Sequence, residues 1–281
     1  MKSEKIGISQ LVFAQVVIAF IYVIVKLSND FGIYNLAFFR VLLACFFIGL
    51  LFIYFKKFKL VAFKTQKIRL ILFGILHAAL IIASFVSINN LSVALAVLLS
   101  STITIWMVIF SSLLLKEKIT KRVVISVIVS FIGLLIILNY NDFYSNTKFI
   151  GILAGLFVGV AGGFVYTLSK TFRKYNGVSL AFWQNLIAIP FLIPFLFFKI
   201  PIFNLYNIGL LIATGVVGAL SFILLYLGFQ RVKGQIGAVL SLLNVPFTIL
   251  AGFIFFLTVP SFREIIGGIL IVFGAYFAST K

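Results

Sequence analysis

Two stretches of this sequence follow one pattern. Residues 20–40 are FIYVIVKLSNDFGIYNLAFFR, and residues 164–184 are FVYTLSKTFRKYNGVSLAFWQ, an offset of 144. In each, Tyr follows Phe by two residues, Lys follows Tyr by four, and Leu-Ala-Phe begins ten residues after Lys. A second alignment, at an offset of 141, pairs Ser100 with Ser241 and Gly133 with Gly274. We therefore predict two related halves, residues 1–141 and 142–281, within one integral membrane domain.

The composition indicates a membrane protein. Hydrophobic residues make up 63% of the chain and charged residues 10%, whereas soluble domains are about 25% charged. Long charge-free runs recur, and a spanning helix needs roughly 20 apolar residues. Lipid requires every backbone polar group to be paired, and these runs lack the alternation of barrel strands. The predicted fold class is therefore an all-α membrane protein.

Ten spans fit the hydrophobic runs. The polar segment SINNLS, residues 87–92, divides the long apolar run 70–115 into two helices. Pro246 is expected to bend the ninth span, because proline removes a helical hydrogen bond. The predicted spans are residues 6–25, 36–55, 68–87, 91–115, 123–139, 149–169, 178–198, 208–229, 234–257 and 264–280.

Positive charge is distributed unevenly between the two sets of alternating loops. Of the 23 Lys and Arg residues, 18 fall in the set that includes both termini, and 5 fall in the other. Because cytoplasmic loops carry the Lys and Arg excess, both termini are predicted to be cytoplasmic. The net charge of +18 then faces lipid headgroups, and no nucleic-acid partner is expected.

Five helices in each half would place the second half upside down relative to the first. Inverted repeats of this kind are typical of secondary transporters, in which a midplane site opens alternately to each side. A non-transporting membrane scaffold is the first alternative. An intramembrane enzyme is disfavoured, because one His, one Cys and five acids at loops or helix ends form no catalytic set. No metal site or cofactor is expected.

The pattern resembles the EamA-type members of the drug/metabolite transporter superfamily. The resemblance depends on Lys26 closing the first span, LAFFR at 36–40, and LLLKEKITKRVVISVIVSFIGLLIIL at 113–138. It implies a ten-helix transporter in a prokaryotic cytoplasmic (inner) membrane, with a small metabolite, often an exported amino acid, as cargo. Gln184 stands where the first half has Arg40, and Thr258 stands where it has Glu117, so a charged gate would be asymmetric.

Polar residues at midplane depth are the predicted cargo contacts, since each is costly in lipid without a partner or a wet cavity. Alternatively, the hydroxyls bond their own backbone or join helices. His77, the single histidine, is either a proton carrier or a neutral core residue. The predicted substrate-binding residues are Gln15, Tyr22, His77, Ser100, Thr104, Tyr166, Trp183, Ser241, Asn244 and Thr248.

Three cations are assigned to gating or a vestibule: Lys26, Arg40 and Lys170. Alternatively, Lys26 and Arg40 extend to the headgroups. Glu117 lies among lysines and is expected to form a structural ion pair. No acid lies in the middle of a span, which predicts a neutral, zwitterionic or anionic cargo, amino-acid-like in kind. The expected partners are this small molecule and membrane lipid, and the sequence indicates no oligomeric state.

Overall fold

The structure is a computed structural model that describes residues 2–28, 32–56, 66–91, 93–138, 149–172, 174–198 and 203–280. Within these ranges the chain is helical and has no β-strand. Nine helical segments of the described ranges, counted across short breaks within a segment, are long and apolar enough to cross a membrane. The predicted all-α membrane fold is confirmed. The predicted boundary between the halves, at 141–142, lies outside the described residues.

Twelve α-helices make up the described part of the chain. The first six are α1 Lys2–Leu27, α2 Ile33–Tyr54, α3 Lys67–Asn90, α4 Val93–Ser101, α5 Ile103–Leu115 and α6 Lys121–Ile137. The second six are α7 Phe149–Ser169, α8 Gly177–Leu192, α9 Leu205–Phe229, α10 Gly234–Ser241, α11 Asn244–Phe256 and α12 Phe262–Ser279. At 17 residues, α6 has about the shortest length that can span a bilayer.

The fourth and ninth predicted spans are each broken into two helices, which corrects the prediction of single helices there. The breaks fall at Thr102 and at Leu242–Leu243, and an offset of 141 relates Thr102 to Leu243. Pro246 explains the second break, because its ring conflicts with the carbonyl four residues earlier. The first break contains no proline. There the Thr102 hydroxyl donates to the Leu99 carbonyl at 2.6 Å.

The seventh predicted span, residues 178–198, is α-helical only as far as Leu192. Residues Ile193–Phe198 continue as a 3₁₀ turn. Pro190 and Pro194 lie at this transition, where each removes one backbone donor. The α-helical part of this span is therefore shorter than predicted.

The helix ends repeat between the halves as closely as the breaks do. Lys116 and Leu257 end α5 and α11 in the left-handed conformation, with φ of 56° and 53°. Thr120 and Ser261 cap α6 and α12 by accepting a hydrogen bond from a backbone N–H of the first turn. Each pair is separated by 141 residues. The predicted repetition thus extends to the backbone geometry.

Most helix pairs also repeat. α1 packs on α9 as its equivalent α7 packs on α3, and α6 packs on its own equivalent α12. Glycines allow the closest approach, since a Cβ on Gly267 would lie 2.3 Å from the Gly133 carbonyl oxygen. Several pairs do not repeat, and one of them borders the candidate site. α5 packs against α10, whereas no comparable contact joins α4 and α11 in the described residues. The candidate site lies at this gap.

Candidate functional site

A cavity of about 900 Å³ lies between the two halves, with α4 on one side and α11 on the other. Its wall includes residues of α1, α2, α3, α7 and α9. At one end the wall reaches the exposed residues Lys26, Thr258 and Val259, together with Pro260 and Glu264. These five residues define the open end. A pocket of this size is typical of small-molecule sites.

Most of the predicted contact residues lie on this wall. Trp183 does not, and instead packs edge-on against Phe182 with ring centroids 5.8 Å apart. Lys170 also lies off the wall, while Lys26 and Arg40 lie on it. The predicted substrate-binding residues on the wall are Gln15, Tyr22, His77, Ser100, Thr104, Tyr166, Ser241, Asn244 and Thr248.

The hydroxyl groups on the wall mostly bond within their own helices, as the alternative interpretation held. Ser100 donates to Val97, Ser241 to Gly237 and Thr248 to Asn244, at 3.0, 2.9 and 2.7 Å. Thr104 differs, because its hydroxyl crosses from α5 to the Ala238 carbonyl of α10 at 3.2 Å. Thr104 therefore joins the helices at the inner limit of the cavity.

Two amides on the wall are available to a ligand. Asn244 is partly exposed to the cavity, and its side chain makes no hydrogen bond to any described residue. Gln15 is 2% exposed, and its Nε2 has no partner among the described residues. An amide offers two donors and an acceptor, so both side chains can bind polar groups of a small molecule.

The serines and phenylalanines of the wall that sequence reasoning missed are Ser28, Ser84, Ser87, Ser101, Ser221, Phe222 and Phe256. Ser84, Ser87 and Ser221 line the cavity, and the Ser87 hydroxyl is buried without a partner among the described residues. Helical spacing from His77 could have indicated Ser84 and Ser87, seven and ten residues further along α3. Nothing in the sequence distinguishes Phe222 from the other 34 of the 35 phenylalanines.

Phe222 organises the polar groups at the centre of the wall. The Arg40 guanidinium lies over its ring, 5.3 Å from the centroid. The His77 ring meets it edge-on at 4.9 Å, and Tyr226 stacks on it at 6.2 Å. A cation over an aromatic face contributes about 0.5–2 kcal/mol, which supports Arg40 in this position.

Arg40 lies within the cavity and not at the headgroups, which contradicts the alternative that it extends outwards. It belongs to the wall, and its Nε is buried without a hydrogen-bond partner. None of the described residues accepts a hydrogen bond from its guanidinium. An unpaired arginine within a spanning helix is costly in lipid, by about 2.5–3.5 kcal/mol at the helix centre even on the mildest scale. Such a charge is typical of a functional site.

Polar contacts hold the opposite end of the molecule together. Glu117 accepts hydrogen bonds from the backbone N–H groups of Gly234 at 3.0 Å and Gln235 at 3.4 Å, at the start of α10. The Gln235 side chain returns a bond to the Glu117 carbonyl at 3.2 Å. The expected ion pair with neighbouring lysines is replaced by this cap, which suits a carboxylate at a helix N-terminus.

Lys170 lies in the same region. We name this region the closed end and define it by four residues: Glu117, Lys170, Gly234 and Gln235. The Lys170 ammonium donates to the Phe229 carbonyl at 2.8 Å and also to the Val232 carbonyl. Burial lowers the pKa of the Lys170 amine, and the nearby Glu117 carboxylate acts in the opposite direction. None of these four residues lies on the cavity wall. Among the described residues, the cavity wall therefore reaches the open end and does not reach the closed end.

Comparison with known proteins identifies the architecture. The model of the EamA-like transporter family matches the chain twice, at residues 5–139 and 149–280. A solved crystal structure superposes with a TM-score of 0.82 over 99% of this chain and 96% of its own, at 16% sequence identity. At that identity the likeness concerns the fold.

Several curated proteins are similar in sequence. The pseudopaline exporter CntI of Pseudomonas aeruginosa is 29% identical over 218 residues, which is 75% of each chain. An uncharacterized transporter of Archaeoglobus fulgidus is 30% identical over 203 residues, 71% of this chain and 72% of its own. One of Helicobacter pylori is 29% identical over 184 residues, 63% of this chain and 60% of its own.

Proposed function

Because the chain belongs to the EamA-like transporter family, we propose that it exports a small metabolite across the prokaryotic cytoplasmic membrane by alternating access. The cargo is neutral, zwitterionic or anionic, and amino-acid-like in size. The observation that carries this proposal is the cavity of about 900 Å³, open at one end and closed at the other. A membrane scaffold has no need of such a space.

The asymmetry between equivalent helices supports alternating access. α5 and α10 are packed together, with Thr104 bonded to Ala238. α4 and α11, their equivalents, face each other across the cavity. If the two halves are inverted repeats, α4 and α11 can pack together while α5 and α10 separate. This change would close the open end and open the closed end. With both termini in the cytoplasm, as the charge distribution predicts, the open end faces outwards.

Export is the direction favoured by similarity, since one relative is named as an exporter. The composition of the wall supports the charge class of the cargo. Its cations are Lys26 and Arg40, and its acid is Glu264 at the open end. The Glu264 carboxylate already accepts hydrogen bonds from the N–H and hydroxyl of Ser261. A permanent cation would therefore find no available carboxylate on the described wall.

Counterflow in proteoliposomes tests the proposal. The purified protein is assayed with a labelled amino acid, an organic acid and a lipophilic cation side by side. Saturable counterflow of the amino acid or organic acid is expected, with loss of that activity in Asn244→Leu at an unchanged melting temperature. Asn185→Leu is the matched control, because Asn185 is a buried asparagine of α8 that lies off the cavity wall.

Two outcomes would contradict the proposal. Absence of saturable counterflow for every compound would leave the scaffold as the better explanation. Counterflow of the lipophilic cation alone would show that the charge class is wrong although transport occurs.

A further inference from the structure

Arg40 is a charged side chain inside the cavity whose hydrogen-bonding capacity is unused. Its contacts are the stem of the side chain beside Gly218 of α9 and the guanidinium over the Phe222 ring. Nε is buried without a partner, and no described residue accepts a hydrogen bond from the other guanidinium nitrogens. The contact with the aromatic ring uses none of the guanidinium N–H donors, which are left for a ligand.

Two hydroxyl groups, one from each half, lie near this guanidinium. Tyr22 of α1 and Tyr166 of α7 are close enough to Arg40 to influence it, and both line the cavity. The two tyrosines are equivalent residues, at an offset of 144. A hydroxyl can donate to an anionic oxygen, so these groups can serve the same ligand as the guanidinium.

The side chain at the equivalent position in the second half is uncharged, and part of its hydrogen-bonding capacity is already used. Gln184 replaces Arg40 there and accepts a hydrogen bond from the Tyr226 hydroxyl. It is fully buried and lies off the cavity wall. The cavity therefore has one cation at its centre, and Lys26 is the other cation of its described wall, at the open end.

We propose that Arg40 binds a carboxylate of the cargo, with Tyr22 and Tyr166 beside it, so that the exported molecule is a carboxylic acid. This inference rests on the proposed function. The planar guanidinium matches a carboxylate in two parallel hydrogen bonds. A single central cation balances a monoanion, whereas a phosphate dianion would leave one charge uncompensated. The amides of Gln15 and Asn244 are left for polar groups of the remainder of the molecule.

Matched pairs of compounds test this assignment by direct binding. The probes are N-acetyl-leucine with its amide, phenylacetate with phenylacetamide, and phenyl phosphate as the dianionic arm. Binding to the purified full chain is measured as ligand-dependent thermal stabilisation, titrated to give a dissociation constant. In the wild type, at least one carboxylate is expected to bind roughly 10-fold more tightly than its amide. Phenyl phosphate is expected to bind more weakly than phenylacetate.

Substitutions assign that preference to Arg40. Arg40→Gln, which places the residue of the second half in the first, should abolish the preference for the carboxylate while binding of the amide changes less than about 2-fold. Arg40→Lys should retain part of the preference for the carboxylate, because lysine keeps the positive charge but lacks the planar guanidinium group. Arg122→Gln is the matched control. Arg122 also lies over an aromatic ring, 5.2 Å from the centroid of Phe277, but it is not on the cavity wall.

The outcomes separate this inference from the proposed function. Equal binding of every carboxylate and its amide in the wild type, or a preference that persists in Arg40→Gln, overturns the inference. So does tighter binding of the phosphate, which would indicate a phosphorylated cargo. If neutral amides show counterflow, the transporter proposal still holds. If carboxylates bind through Arg40 but no compound shows counterflow, the binding site stands and the transport proposal fails.

Discussion

The closed end and the open end are built from equivalent residues but are held by different contacts. At the closed end, Glu117 caps α10 and Lys170 bonds the carbonyls after α9. Their equivalents at the open end are Thr258, which has no charge, and Lys26, whose ammonium lies 4.3 Å from the centroid of the Phe256 ring.

The helices themselves do not account for this difference. Helix breaks at Thr102 and Leu243, and left-handed helix ends at Lys116 and Leu257, occur at equivalent positions in both halves. What differs is a small set of polar groups: the closed end has the Glu117 carboxylate, whereas the equivalent position at the open end, Thr258, has none. Under the proposed alternating access, the repeated backbone would allow either end to close, and we expect side chains to decide which end is closed.

The largest expected effect concerns the sides of the membrane on which the two ends lie. Lys118 and Val259 are exposed equivalent residues, 141 positions apart, next to Glu117 and Thr258. In a Cys45→Ser background, a membrane-impermeant maleimide applied to intact cells should label Val259→Cys and leave Lys118→Cys unlabelled. Disruption of the cells should make Lys118→Cys reactive. Labelling of both from the outside would show that the halves are not inverted.

A second comparison uses the packing of α1 and α7. Gly163 of α7 corresponds to Ala19 of α1. A Cβ on Gly163 would lie 2.6 Å from the Trp106 Cβ and 2.7 Å from the Met107 backbone nitrogen. Ala19 already carries a Cβ and is buried. Gly163→Ala should therefore destabilise the protein by about 1–3 kcal/mol through overpacking, measured as a lower melting temperature in detergent.

Gly209→Ala is the control for Gly163→Ala. A Cβ on Gly209 meets nothing within 4 Å, so this substitution should stabilise α9 by about 0.5–1 kcal/mol through helix propensity. Equal melting temperatures for the two variants would mean that the close contact of α7 with α5 relaxes without cost.

Much of the fold was predictable because the length of hydrophobic runs is a local property of the sequence. Nearly every span was located within a few residues. The breaks at Thr102 and Leu243 were not predicted. Pro246 indicated a bend near the second break, but the first has no proline, and its local sequence gives no comparable signal. Repeats of single residues, such as Tyr22 with Tyr166, were enough to identify the two halves.

The candidate site was predictable in part. Nine of the ten substrate-binding residues predicted from depth in the span lie on the wall, since midplane polar residues tend to face the interior. Depth does not specify the face of a helix, and for this reason Trp183 was assigned to a wall on which it does not lie. Glu117 was expected to pair with adjacent lysines, but its partner belongs to α10, more than a hundred residues away, and no local pattern indicates such a contact.

Removal of the Glu117 carboxylate should weaken the closed end. Glu117→Ala leaves the Gly234 and Gln235 N–H groups without their acceptor, which costs the closed arrangement about 1–2 kcal/mol. The population open at this end should rise roughly 5- to 30-fold. The measurement is the maleimide labelling rate of Ser111→Cys in a Cys45→Ser background, since Ser111 is fully buried beside Gly234.

Glu264→Ala provides the control for Glu117→Ala. Glu264 also accepts hydrogen bonds at a helix N-terminus, but it caps its own helix, α12. Its removal should leave the labelling rate of Ser111→Cys unchanged. Equal acceleration by the two substitutions would attribute the effect to a general loss of stability, and no acceleration by Glu117→Ala would show that the cap does not hold this end closed.

The smallest expected effect comes from giving the open end an equivalent of the Glu117 carboxylate. Thr258→Glu reproduces Glu117 at the equivalent position, and the helix equivalent to α10 is α4, which begins at Val93. The new carboxylate can reach that N-terminus only when α4 and α11 close together, so it should favour closure by about 0.3–1 kcal/mol. The labelling rate of Ser100→Cys on the cavity wall should fall roughly 2- to 5-fold. Thr258→Gln, which has the same size without the charge, should leave that rate unchanged.

Because Lys26 lies at the same end and could attract the carboxylate without any closure, the comparison is repeated in Lys26→Gln. Persistence of the decrease there assigns it to the helix N-terminus, whereas its disappearance would show that the two ends differ by more than the one missing carboxylate.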